Sequence, residues 1–227
     1  MERIRGIILL IQFSITVAIT VVLMYMFKNH THKVIKAWMT FQMFVLGIKL
    51  ETEGTLDESC DMVLMNHQSL LDIIVIEYIH GRDLAWVAKK EISDLFFFGH
   101  IIKAPRMISV DRENKAGIIH LLKETKDRLD KGRPIAMFPE GTRSDGKSMG
   151  EFKPGAKIIA NKYGLKVQPI ILFNTRNIVD SKRLLAKPGV VKVIYLDPVV
   201  ASKDSTWFED TEVKMKERFN QESAKYI

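Results

Sequence analysis

The first fifty residues are dominated by apolar side chains, whereas the rest of the chain alternates short apolar runs with amphipathic segments. Residues 7–27 contain no charged side chain. As a helix, this run would be about 30 Å long, which matches the hydrocarbon core of a bilayer. A second apolar stretch, residues 34–50, places these side chains near one helical face: Trp38, Phe41, Val45 and Ile48. The pattern predicts an N-terminal two-helix membrane motif over residues 1–50.

The pattern leaves the depth of membrane insertion open. The first helix could span the bilayer, or the two helices could form a hairpin that enters one leaflet. Cationic residues flank both ends of the first helix, so the loop charges indicate no orientation. A core helix of a soluble protein is the remaining interpretation, and the length of the uncharged run argues against it. A signal peptide is disfavoured because no small-residue cleavage site precedes Lys28.

From residue 51 onward, apolar runs alternate with helical periodicity. This order is typical of a single, mostly parallel sheet flanked by helices. The predicted strands are residues 61–65, 84–88, 106–110, 134–138, 167–173 and 190–196. The predicted helices are residues 70–79, 114–130, 156–163 and 206–224, with short helical pieces over 92–103. Since no repeat or linker interrupts this order, we expect one α/β domain over residues 51–227.

Composition and charge narrow the possible partners. The chain has 227 residues, of which 47% are hydrophobic and 27% charged, as in folded proteins. Its net charge of +7 favours a polyanionic partner: nucleic acid, an anionic membrane or a phosphorylated substrate. The single cysteine, Cys60, excludes an internal disulfide and a multi-cysteine zinc site.

Polar residues follow three of the predicted strands, where open α/β sheets bind their ligands. One of these segments contains His67 and Asp72. In a continuous helix, side chains five positions apart point away from each other. The two can therefore meet only if His67 lies before the helix and Asp72 in its first turn, with Ser69 as the N-cap. The carboxylate would then fix the tautomer of a histidine acting as general base. Alternatively, Ser69 and Asp72 form only a capping box.

The segment FPEGTRSDGKS, residues 138–148, has two incompatible interpretations. Residues 141–148 fit the nucleotide-binding pattern G-x-x-x-x-G-K-[ST]. That loop must open directly into a helix, yet Gly150 and Pro154 delay any helix until about residue 154. The other interpretation is a phosphate-binding turn in which Arg143 supplies a planar fork of donors and Gly141 allows close approach of an anion. Arg112 could act likewise. Alternatively, the two arginines form only surface ion pairs, Arg112 with Asp111 and Arg143 with Glu140.

Two of these motifs resemble those of the glycerolipid acyltransferases. Residues 66–72, NHQSLLD, are similar to the family's H-x4-D motif, and residues 138–144, FPEGTRS, to its second hallmark. Their order, their separation and the intervening Val110-Asp111-Arg112 also match. The resemblance covers nearly the whole chain, including the apolar N-terminus. Within the family, it points to the bacterial branch that acylates lysophosphatidic acid.

The resemblance implies roles for individual residues. His67 would deprotonate the sn-2 hydroxyl of lysophosphatidic acid, which attacks the thioester of acyl-CoA or acyl carrier protein to give phosphatidic acid. Asp72 would orient His67. The substrate phosphate would be bound by the following residues: Arg112, Glu140, Gly141, Thr142, Arg143 and Lys153.

The resemblance also implies a setting for the enzyme. No metal or bound cofactor is required, nucleic acid is not a partner, and the catalytic domain would face the cytoplasm from the inner membrane. The sequence departs from the family pattern before Asp111 and at Lys166. An acyltransferase for another lysolipid, or a non-catalytic lipid-binding protein of the same fold, therefore stays open as an alternative. The acyl donor, the acyl chain length and the oligomeric state are left undetermined.

Overall fold

An eight-stranded, mostly parallel sheet forms the centre of the computed structural model, which describes residues 2–111 and 115–226. Its strands are β1 (Ile48–Glu53), β2 (Met62–Met65), β3 (Ala85–Lys89), β4 (Ile108–Val110), β5 (Ile135–Met137), β6 (Lys166–Phe173), β9 (Gly189–Tyr195) and β10 (Val199–Val200). Their spatial order is β1-β9-β6-β2-β5-β3-β4, with β10 beside β6. Only the pairings of β6 with β9 and with β10 are antiparallel. A separate hairpin consists of β7 (Val179–Asp180) and β8 (Leu185–Ala186).

Helices cover both faces of this sheet. They are α1 (Glu2–Met26), α2 (Thr31–Leu46), α3 (Leu71–Ile79), α4 (Lys90–Ser93), α5 (His100–Lys103), α6 (Lys115–Asp130), α7 (Gly155–Tyr163), α8 (Thr175–Ile178) and α9 (Trp207–Ser223). The prediction of a mostly parallel α/β sheet behind two apolar helices is therefore confirmed.

The central strand β2 contributes side chains to two hydrophobic clusters, one on each face of the sheet. All four of its residues are buried, as expected for a strand covered on both sides. Because side chains alternate across a strand, Met62 and Leu64 pack in the cluster that includes residues of α7 and α9. Val63 and Met65 pack in the cluster that includes residues of α1, α2 and α3. The apolar N-terminal helices, together with α3, thus cover one face of the sheet.

The second apolar helix is shorter than its hydrophobic pattern predicts. Gly47 adopts a left-handed conformation (φ 69°) and its amide caps the carbonyls of Met43 and Phe44. The chain then enters β1, so the residues from Ile48 to Leu50 belong to the sheet and not to the helix. Apolar residues at a sheet edge and at a helix end look alike in sequence, which is why the boundary was misplaced. The sequence also failed to predict β1, β10 and the β7–β8 hairpin.

Within the described ranges, one helix, Arg3–Met26, is long and apolar enough to cross a membrane by its length and composition. Only part of its surface is buried against the rest of the protein.

Candidate active site

The predicted pairing of His67 with Asp72 is present in the structure. The Nδ1 atom of His67 lies 2.8 Å from Oδ2 of Asp72. The histidine belongs to the loop that follows β2, and Asp72 lies in the first turn of α3. The loop turns the chain between the two residues, so their side chains converge instead of diverging as they would along one helix.

The two interpretations of Asp72 turn out to be compatible. The same Oδ2 atom also accepts hydrogen bonds from the backbone amides of Gln68 (2.6 Å) and Ser69 (2.8 Å). The Ser69 hydroxyl in turn accepts the Leu71 amide at 3.2 Å, as a cap would, although α3 begins only at Leu71. Asp72 therefore binds the loop amides that lead into the helix and holds His67 with the same oxygen atom, and its side chain is fully buried. Its other oxygen, Oδ1, is buried without a hydrogen-bond partner among the described atoms.

The His67 ring is held flat against Phe138. The two rings are stacked with their centroids 3.8 Å apart and their planes 10° from parallel. The His67 side chain retains 16% exposure. Since Nδ1 faces Asp72 and donates to a carboxylate, Nε2 is left as the basic nitrogen, and no described residue forms a hydrogen bond with it. The ring thus presents a fixed basic nitrogen to the cavity that His67 and Phe138 both line.

Glu140 holds the second motif against the first. Its carboxylate accepts the His67 backbone amide at 2.7 Å and the Gly150 amide at 2.5 Å. The Ser144 amide adds a bond of 2.7 Å to the His67 carbonyl oxygen. Burial raises the pKa of Glu140, while the two amides act in the opposite direction. The resemblance implied that Glu140 belongs to the turn that shapes the phosphate site, and its observed contacts with these two backbone amides organise that turn.

Arg143 lies beside His67 at the edge of a cavity. Gly141 (φ 74°), Thr142 and Arg143 line that cavity together with His67. Arg143 donates from Nη1 to the Ser181 hydroxyl at 2.8 Å and has no carboxylate partner among the described residues. The suggested ion pair between Arg143 and Glu140 is therefore absent. The guanidinium keeps donors available for an anionic ligand.

The cavity is lined by these polar residues and by side chains of the apolar N-terminal helices, and it has a volume of about 570 Å³. Its apolar walls include Phe13 and Val17 of α1, Trp38 of α2, and Ile73 of α3. A cavity lined by both polar and apolar side chains suits a molecule with a charged head and a hydrocarbon chain.

The remaining predicted phosphate-binding residues are placed differently. The Lys153 side chain is exposed and does not line the cavity, while its amide bonds to the Pro139 carbonyl at 2.8 Å. Arg112 lies outside the described residues. The structure instead brings Lys89, at the carboxyl end of β3, into the cavity lining. The strand-end rule that identified His67 and Arg143 could have found Lys89 as well.

Sequence reasoning also missed Glu77, a buried acid among the apolar lining residues. Trp86 donates its indole N–H to Glu77 at 2.6 Å. Burial raises the pKa of Glu77 to about 7, with the Trp86 hydrogen bond opposing the shift. In sequence, Glu77 looks like an ordinary polar position on a helix, so nothing local marked it.

The loop that resembles a nucleotide-binding motif does not open into a helix. The next helix, α7, begins at Gly155, eight positions after Lys147. A helix N-terminus facing the phosphates is essential to nucleotide-binding loops, so this geometry agrees with the phosphate-binding turn instead.

Comparison with known proteins identifies the family. The sequence model of the acyltransferase family matches residues 50–172, a segment that carries both motifs. The chain belongs to the acyltransferase family. It is 42% identical over 175 residues to a 1-acyl-sn-glycerol-3-phosphate acyltransferase of Helicobacter pylori, covering 76% of this chain and 74% of that protein. It is also 28% identical over 237 residues to the chloroplastic 1-acyl-sn-glycerol-3-phosphate acyltransferase BAT2 of Brassica napus, covering 96% and 68% of the two chains.

A solved structure supports the fold of this acyltransferase. The 1-acyl-sn-glycerophosphate acyltransferase PlsC of Thermotoga maritima superposes with a TM-score of 0.71 over 99% of this chain and 97% of that one, at 20% identity. The protein is therefore an enzyme of lipid metabolism, and its apolar N-terminal helix associates it with membranes.

Proposed function

We propose that this protein is a 1-acylglycerol-3-phosphate O-acyltransferase, which transfers a fatty acyl group to the sn-2 hydroxyl of lysophosphatidic acid and forms phosphatidic acid. The observation that supports this proposal best is the Asp72-held His67 at the end of a cavity that combines Arg143 with apolar walls. The names of the relatives agree with the same acceptor.

The reaction needs one base and no covalent enzyme intermediate. Nε2 of His67 takes the proton of the sn-2 hydroxyl while the hydroxyl oxygen attacks the thioester carbonyl carbon. The carbon–sulfur bond then breaks, and the leaving thiolate receives the proton from the imidazolium. Asp72 keeps Nδ1 protonated and stabilises the positive ring between these two transfers.

The phosphate of the acceptor is bound by Arg143 with the turn at Gly141 and Thr142. These three residues line the same cavity as His67, so the headgroup and the hydroxyl are held in one place. Lys89 adds a second described cation to that lining. The predicted set also contains Arg112, Glu140 and Lys153. Glu140 contributes by holding the turn, and Lys153 reaches the phosphate only if its exposed side chain turns inward.

The N-terminal helices insert into one leaflet and do not span the bilayer. The catalytic domain contacts α1 at both ends: a methyl group on Gly6 would lie 1.9 Å from the Leu184 carbonyl oxygen, and the Tyr25 hydroxyl is 2.6 Å from His100. The opposite side of α1 carries an exposed apolar stripe at helical spacing: Ile4, Ile8, Ile11, Ile15, Ile19, Val22 and Met26. A helix that contacts the domain near both ends and exposes an apolar stripe on its other side fits an orientation parallel to the membrane surface.

This orientation places the active site at the membrane surface, where a lysolipid and a water-soluble thioester can meet. The donor is acyl-CoA or acyl carrier protein, and both reside in the cytoplasm, so the domain faces the cytoplasm from the inner membrane. The net charge of +7 favours anionic lipid surfaces and phosphate-bearing donors.

The proposed function is tested by a thiol-release assay on purified protein with one acyl-CoA. The acceptors should include lysophosphatidic acid and lysolipids without a phosphomonoester. We expect thiol release with lysophosphatidic acid and at least tenfold less with the others. Preference for another lysolipid would change the acceptor, and equal lipid binding with no thiol release would indicate a lipid-binding protein.

Two variants separate phosphate binding from nucleotide chemistry. Arg143→Ala should raise KM for lysophosphatidic acid, because its guanidinium lines the cavity. Lys147→Ala should leave turnover nearly unchanged, since Lys147 is exposed and does not line the cavity. Loss of activity in Lys147→Ala together with tight ATP binding would favour a nucleotide site.

A further inference from the structure

An exposed apolar segment lies between α4 and α5, and the active site does not explain it. We call residues 95–98, Leu95-Phe96-Phe97-Phe98, the aromatic loop. Phe96 is 97% exposed, and Leu95 is 50% exposed. Side chains of this size leave water when the fold offers them a place, so a contiguous apolar tip indicates an external partner.

Backbone hydrogen bonds and a close backbone contact define the turn that carries this loop. The Gly99 amide donates to the Leu95 carbonyl at 2.9 Å, and the Ile101 amide donates to the Phe98 carbonyl at 3.1 Å. A methyl group on Gly99 would lie 2.1 Å from the Ser93 carbonyl oxygen, so the turn is too tight for any side chain there. Phe96 is therefore presented outward by a closely wound turn.

The inner side of the same segment forms a wall of the active-site cavity, which we call the acyl cavity because it would hold the hydrocarbon chain. Ile92, Phe98, Ile101 and Ile102 line that cavity, whereas Leu95 and Phe96 do not. The ligand thus accounts for the inward residues and leaves the outward pair without a role.

The aromatic loop is continuous with the membrane-facing side of α1. The Tyr25 hydroxyl, near the end of α1, lies 2.6 Å from Nδ1 of His100, and the two rings meet edge to face. Next to Tyr25, the side chains of Met26 and Phe27 are 68% and 50% exposed. Lys90, at the start of α4, is already paired with Asp94 at 2.6 Å, whereas Lys103, at the outer end of α5, provides a cation of the kind that interacts with anionic headgroups.

We infer that the aromatic loop inserts into the lipid bilayer as a second membrane contact beside α1. The inference goes beyond the proposed reaction but rests on its membrane setting. Two contacts on either side of the Tyr25–His100 junction would hold the wall of the acyl cavity against the lipid, so that a lysolipid enters the cavity from the bilayer.

The loop can be tested with a probe placed at its tip. Cys60 is only 1% exposed, so Phe96→Cys would create the one readily labelled thiol among the described residues. An environment-sensitive fluorophore at that position should brighten and be quenched by bromolipids when vesicles of phosphatidylethanolamine and phosphatidylglycerol are added. A fluorophore that stays in water while the protein binds the vesicles would overturn the inference.

The consequence for binding and catalysis is tested with Phe96→Asp. Its partition onto the same vesicles should fall at least tenfold, and its activity on long-chain lysophosphatidic acid in vesicles should fall with it. Activity on a short-chain, monomeric lysophosphatidic acid should stay within twofold of the parent. Val213→Asp, at a 54% exposed position on α9, is the matched control and should change neither quantity.

Other outcomes would contradict the inference in distinct ways. Equal losses on vesicle and monomeric substrates would make Phe96 part of the cavity wall. A parental dimer that becomes monomeric in Phe96→Asp, with unchanged vesicle binding, would identify a second copy of the chain as the partner. If the parent itself released no thiol with either the vesicle-bound or the monomeric substrate, the proposed function would fail, whereas the fluorophore would still report on insertion.

Discussion

Replacing Asp72 with asparagine separates the charge of this residue from its shape. The amide oxygen can occupy the position of Oδ2 and keep the three hydrogen bonds from His67, Gln68 and Ser69. The new NH2 group then occupies the place of Oδ1, which has no partner among the described atoms. The geometry of the loop should survive, while the negative charge beside the imidazole is lost.

The expected loss of activity follows from the distance. With Nδ1 2.8 Å from Oδ2, the charges of an imidazolium and the carboxylate are centred about 4 Å apart. At an effective dielectric constant of about 20, their attraction is about 4 kcal/mol. Because each ~1.4 kcal/mol is a factor of ten in rate, Asp72→Asn should lower kcat about a thousandfold.

The folding cost of the same variant should be smaller and measurable separately. An unsatisfied buried NH2 costs about 1–3 kcal/mol. Asp72→Ala, which removes all three hydrogen bonds, should reduce the free energy of unfolding further.

Thiol release at saturating substrates measures kcat, and urea unfolding of the same preparations measures stability. A folded Asp72→Asn protein with kcat within tenfold of the parent would refute the reasoning, since His67 would then not depend on the carboxylate charge. A rate reduced only in proportion to the unfolded fraction would do the same.

Three further results are expected. Glu140→Ala leaves two backbone amides without their acceptor, so urea unfolding should show a loss of about 2–6 kcal/mol, and an unchanged midpoint would contradict the proposed organising role. Ser181→Ala removes one hydrogen bond from the exposed Arg143, which is worth about 1 kcal/mol. KM for lysophosphatidic acid should therefore rise about fivefold while kcat stays unchanged. Ser181→Thr keeps the hydroxyl and should restore the parental KM. The pKa of Glu77 is about 7 in the folded protein, against an ordinary value of 4.5. The native state therefore binds this proton more tightly than the unfolded state does. As a result, the free energy of unfolding should fall as pH rises from 4.5 through 7. Glu77→Gln, which can still accept the Trp86 N–H, should flatten that fall, and identical pH profiles for the two proteins would show that Glu77 does not cause it.

The sequence alone determined the class of the sheet and the place of its chemistry. Alternating apolar strands and amphipathic helices predict parallel pairing, and parallel strands bring their carboxyl ends to one edge. His67, Asp72 and Arg143 could be selected because each follows or begins an element at that edge. These inferences depend on local patterns, which can be recognised in the amino-acid sequence without the structure.

Tertiary structure decided what those residues contact. The sequence placed Glu140 at the phosphate site, and the structure shows that its carboxylate binds the backbone amides of His67, 73 positions away, and of Gly150. Glu77 and Ser181 joined the cavity only because separate elements pack around it. The apolar pattern of α1 could not reveal depth in the membrane, because hydrophobicity is the same for a spanning and a lying helix. The contacts of α1 with the Leu184 carbonyl and with His100 are a property of packing, which exists only once the chain has folded.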